Sequence, residues 1–170
     1  MKRTLAYLAP LGAVLAVAAG PAVASPAMAD PATVTVTLGP DMREKVRDLG
    51  EREVREQTDR LAEVVRRGLA DNSRLDGARI DLVLTDLRPN RPTFEQMADK
   101  PGLDPFRSIS IGGAAFEGAI TTADGEVLPV RYDWFSSNLA EVRGHSTWHD
   151  ADRAYRRLAD NLADGRYVSR

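Results

Sequence analysis

Residues 33–38, Thr-Val-Thr-Val-Thr-Leu, alternate without a break. Successive side chains of a strand point to opposite faces, so Val34, Val36 and Leu38 share one face and three threonines share the other. A strand with a single apolar face belongs to a sheet that is covered on one side only. The rest of the chain must supply that cover.

A helix-period pattern follows at once. Gly39-Pro40-Asp41 ends the strand, and Asp41 reads as an N-cap with Glu44 as its capping-box partner. Met42, Val46, Leu49, Val54, Leu61, Val64, Val65 and Leu69 recur every three or four positions, which predicts one long helix over 42–70. Its other face carries Glu51/Arg55, Glu56/Arg60 and Glu63/Arg67 at i,i+4, the spacing of a solvated face.

A second strand is predicted over 78–87, with Ile80, Leu82 and Leu84 on one face. Strand, helix, strand implies a crossover between parallel neighbours. Residues 88–106 then form a long connection with four prolines, in which Thr93-Phe94-Glu95-Gln96 predicts a capping box and a short helix over 94–99. The next strand, over 108–122, changes phase: Ile109 and Ile111 are odd, Phe116 and Ile120 even. A β-bulge at Gly112-Gly113 would absorb the extra residue. Asp124-Gly125 reads as a hairpin turn into a strand over 127–135. Ser146 or Thr147 then caps a last helix over 148–164, with Ala151, Ala154, Tyr155, Leu158 and Leu162 as its apolar stripe and Gly165 as its stop. The expected fold is α+β: a two-layer sandwich in which a mixed sheet of about four strands carries two helices on one face.

The N-terminus has another character. Lys2 and Arg3 precede an uncharged apolar run over 5–19, and Ala27-Met28-Ala29 forms a small-x-small site, with Ala22-Val23-Ala24 as an alternative. This is the pattern of a secretory signal peptide over 1–29, leaving a single domain over 30–170. The run is shorter than the roughly 20 residues of a spanning helix. With no cysteine in the chain there is no disulfide, no thiolate chemistry and no site for lipoprotein acylation. The expected location is the bacterial periplasm or the exterior, with no membrane anchor after cleavage. Loss of Lys2 and Arg3 takes the formal charge from −2 to −4, with signs interspersed, so nucleic acid is not an expected partner.

The runs Asn90-Arg91-Pro92-Thr93, Pro101-Gly102-Leu103, Ile111-Gly112-Gly113-Ala114, Ala123-Asp124-Gly125 and Thr147-Trp148-x-Asp150-Ala151 together resemble a group of small exported proteobacterial proteins of unknown function. Those proteins are similar in layout to strand–helix–strand–hairpin–helix envelope lipoproteins. The resemblance implies an envelope protein with no assigned chemistry. The missing cysteine departs from the lipoprotein relatives.

Few residues break the folding pattern. Glu53 and Gln57 fall, with Gly50, on the apolar stripe of the long helix. They predict either a hydrogen-bonded network tying the helix to the 88–106 loop through an arginine, or a ligand-facing carboxylate. His145 and His149 are the only histidines, four apart, and a helix starting between them would keep them off a common face, which makes them weak metal candidates. Gly112-Gly113 lacks the following helix a phosphate loop needs, and Ser136-Ser137 lacks a G-x-S-x-G context. No cofactor pattern is present. Phe94, Met97, Leu103 and Phe106 place apolar side chains on the long loop, with Arg107 beside them. Two functions follow as expectations. One is a non-enzymatic accessory or binding protein that meets an envelope protein through this loop and the open sheet face. The other is a small hydrolase or ligand-binding protein using Glu53, Arg107 or the histidine segment. An edge strand or the open face also offers a surface for a homodimer.

Overall fold

The computed structural model describes residues 30–70, 72–142 and 146–169. The signal-peptide expectation for 1–29 and His145 fall outside the described residues. The elements are β1 (Thr33–Leu38), α1 (Pro40–Leu49), α2 (Glu51–Gly68), β2 (Arg79–Arg88), α3 (Phe94–Asp99), β3 (Gly113–Thr121), β4 (Val127–Phe135), α4 (His149–Ala163) and the two-residue β5 (Val168–Ser169). The sheet runs β1-β2-β3-β4, with β5 added at the β4 edge. β1 and β2 are parallel, and β2–β3 and β3–β4 are antiparallel. This is the expected mixed sheet in an α+β sandwich. Three helices, α1, α2 and α4, contribute to the cover, where two were expected.

The third helix arises because the long helix is broken. Gly50 has φ +94°, which ends α1 and restarts the chain as α2. A Cβ there would lie 3.3 Å from the Glu95 Cβ, so α3 closes on the break itself. The start of α1 also differs: Gly39 is the N-cap with no side-chain bond, and Pro40 opens the helix where its missing N–H costs nothing. Asp41 sits inside the first turn and forms no capping box.

The core lies between sheet and helices. Met42, Leu61, Ile80, Leu82, Leu84, Phe116, Ile120, Tyr155 and Leu158 are fully buried in it. The Phe116 ring meets Tyr155 at 5.8 Å and Tyr132 at 6.4 Å between centroids. Across the sheet, Thr33, Thr35, Thr37, Glu117, Arg131 and Asp133 are exposed, with Glu117 and Arg131 paired at 2.8 Å. α2 and α4 pack closely: a Cβ on Gly68 would lie 2.8 Å from the Ala159 Cβ. Arg60 donates to Asp152 of α4 at 3.1 Å and pairs with Glu63 of its own helix at 3.8 Å, so the Glu56/Arg60 pair expected from spacing does not form. Glu51/Arg55 does not form either, whereas Glu63 does pair with Arg67.

The bulge sits on a different strand from the one expected. β3 starts only at Gly113, and Ile109 and Ile111 belong to the loop before it. The register slips on β2, where Thr85 is extra between Leu84↔Phe116 and Asp86↔Ala115. That slip brings Leu87 to the buried face behind Ile80, Leu82 and Leu84.

Candidate functional site

Glu53 is engaged within the fold. Its two carboxylate oxygens accept the Phe94 backbone N–H at 3.0 Å and the Trp148 indole N–H at 3.2 Å. One side chain of α2 thereby holds the first turn of α3 and the approach to α4. The tie to the loop runs through a backbone amide rather than an arginine. Gln57, one turn along, is buried and accepts from the Tyr155 hydroxyl at 3.1 Å. Burial pushes the Tyr155 phenol well up, which keeps it protonated as the donor.

A second polar node lies at the start of α4. Asp150 is fully buried, and its Oδ2 accepts from Asn90 Nδ2 and Ser136 Oγ, both at 2.5 Å. Asn90 Oδ1 in turn accepts the Asp150 backbone N–H at 2.8 Å. This long-range bond satisfies a first-turn N–H of α4, so neither Ser146 nor Thr147 is needed as a cap. The helix N-cap is Trp148, without a side-chain bond. Asn90 further joins Thr147 and Ser110 through its backbone, at 2.7 and 2.9 Å. Ser136 is 3% exposed, so its hydroxyl is a structural donor and not an accessible nucleophile. The other Asp150 oxygen, Oδ1, has no hydrogen-bond partner among the described residues.

Around these nodes the loop from Pro89 to Gly112 is firmly braced. Thr93 and Gln96 form the expected capping box, with both bonds at 3.2 Å. Asp48 of α1 accepts from Gln96 at 2.7 Å and Lys100 at 2.5 Å. Asp104 accepts the backbone N–H groups of Phe106 and Arg107 at 2.7 and 2.8 Å. Arg91 Nη1 donates to the Phe106 carbonyl. On this rigid frame Phe94 is 73% and Phe106 81% exposed. Met97 is half-buried and Arg107 exposed.

His149 is half-buried at the first position of α4. Among the described residues no group of three or more His, Cys, Asp or Glu side chains could hold a metal ion. No described helix is long and apolar enough to cross a membrane. The sequence matches no protein-family model, and no curated protein matches it.

Asn90, Arg91, Ser136 and Asp150 were not singled out by the sequence pattern as polar core residues. A signal existed for Asp150. It lies four residues before Ala154 on the α4 stripe, the same kind of exception that drew attention to Glu53.

Proposed function

We propose that this chain is an exported, non-enzymatic binding protein of the bacterial cell envelope, and that it engages a protein partner through the loop between β2 and β3. Export rests on the N-terminal sequence pattern alone. The binding role rests on one observation: two phenylalanine rings stand in solvent on a loop that hydrogen bonds hold to α1 and α2. Exposed aromatic side chains on an ordered frame contribute large contact area at little entropic cost, which is why they dominate many interfaces. The polar groups at the helix contacts support the same reading. Glu53, Gln57 and Ser136 are engaged in bonds that hold elements together.

The test is crosslinking in intact cells, with mass spectrometry of what is captured. The expected result is one envelope protein, lost in a Phe94→Asp/Phe106→Asp variant that still folds. Capture that survives this double change would move the interface to another surface. Capture of a second copy alone would replace the partner by a homodimer.

A further inference from the structure

Beside the two exposed phenylalanines, the same loop encloses a cleft of about 440 Å³. That is within the range of small-molecule sites, roughly 300–1,000 Å³. Its walls are mainly apolar, from Pro89, Pro92, Leu103, Ile109 and Ile111. Its charged lining is of one sign: Arg88, Arg91 and Lys100, with no acidic residue. Two of these cations are already neutralised, Arg88 by Asp86 at 2.8 Å and Lys100 by Asp48 at 2.5 Å.

Arg91 is different. It is 7% exposed, yet it makes no ion pair among the described residues. Its Nη1 donates to the Phe106 carbonyl, and its Nε is buried without an acceptor among the described residues. A guanidinium is charged at every ordinary pH, so burial without a counter-anion is costly. A carboxylate brought to it would gain a charge-assisted bond in a partly desolvated place. The leucine and isoleucine side chains around it are partly exposed and would be covered by the remainder of such a ligand.

We propose that this cleft binds a small monocarboxylate with an apolar body, its carboxylate pairing with Arg91 and its hydrocarbon lying on Pro92, Leu103, Ile109 and Ile111. The inference is independent of the partner surface, because neither Phe94 nor Phe106 lines the cleft.

Isothermal titration of the purified protein tests it with three probes. Decanoate carries head and body, acetate the head alone and decan-1-ol the body alone. Decanoate is expected to bind saturably, and acetate and decan-1-ol at least about tenfold more weakly, the worth of one charge-assisted bond or a few buried methylenes. Arg91→Gln should weaken decanoate by about tenfold or more. Should that variant fail to fold, Ile109→Asp decides. Ile109 is 44% exposed, so the change spares the core while placing a like charge against the ligand. Absence of saturable decanoate binding overturns the proposal. So does equal binding of decan-1-ol, or binding that neither substitution weakens.

Discussion

Trp148 donates its indole N–H to Glu53 at 3.2 Å, across 95 positions of sequence. The bond joins the middle of the helical layer to the start of α4. The other oxygen of the same carboxylate takes the Phe94 amide of α3. Glu53 is therefore a three-way joint between elements that are distant along the chain.

Its removal should be costly. Glu53→Ala leaves a half-buried indole N–H and a helix-start amide without their acceptor. The expected loss is about 1–3 kcal/mol. Glu53→Gln, which keeps one acceptor oxygen, should lose less. Urea denaturation reads both. An unchanged midpoint for Glu53→Ala would show that the joint does not form in solution.

Asp150 allows a sharper comparison. One oxygen serves both Asn90 and Ser136, while the other has no partner among the described residues. Asp150→Ala strands two buried donors and should cost about 3 kcal/mol or more. Asp150→Asn keeps an oxygen in the accepting position, so it should cost distinctly less. Thermal melts of the two variants check the order. Equal losses would mean that one accepting oxygen at this position is not what holds the site.

Acid stability should trace to carboxylates held below their ordinary range. For Asp86, burial pushes the carboxyl up, but bonds from Lys45 at 2.5 Å and from Arg88 outweigh it and the net shift is downward. Asp48 is lowered by its bonds from Lys100 and Gln96. Between the lowered folded pKa and the unfolded value of about 3.9, the unfolded chain binds more protons than the fold. Their contribution is complete above the unfolded value and is lost as pH falls through the folded ones. The melting temperature should thus hold steady near neutrality and drop below about pH 4. Asp86→Asn should start lower at pH 7 and fall less steeply in acid. An acid limb identical to that of the parent chain would remove Asp86 from this account.

Much of the fold was legible because short-range patterns carry it. The alternation of 33–38, the capping box at Thr93 and Gln96, and the strand of 127–135 appear where the residues place them. Errors arose where two readings of one pattern compete. The apolar spacing runs straight through Gly50, and periodicity alone does not register one residue at φ +94°. The phase change in 108–122 was real, but it reflects a loop ending at Gly112, while the bulge belongs to Thr85. The step from Leu84 to Leu87 on β2 was the signal for it. Glu53 and Gln57 stood out because they interrupt an apolar stripe. Arg91 and Asn90 did not, because in a proline-rich loop there is no stripe to interrupt.

By itself the sequence determined most of the elements, the buried faces of its clearest strands and helices, the one-sided sheet and the absence of thiol chemistry. Those follow from alternation, helical spacing and composition, which are local properties of the chain. Only the tertiary structure decided that Glu53 meets Trp148, that Asp150 caps its helix through Asn90, and that Arg91 lies buried without a carboxylate beside an apolar cleft. Each of these depends on which residues far apart in sequence are brought within 3 or 4 Å. Packing of the whole core sets that proximity, and no local pattern encodes it.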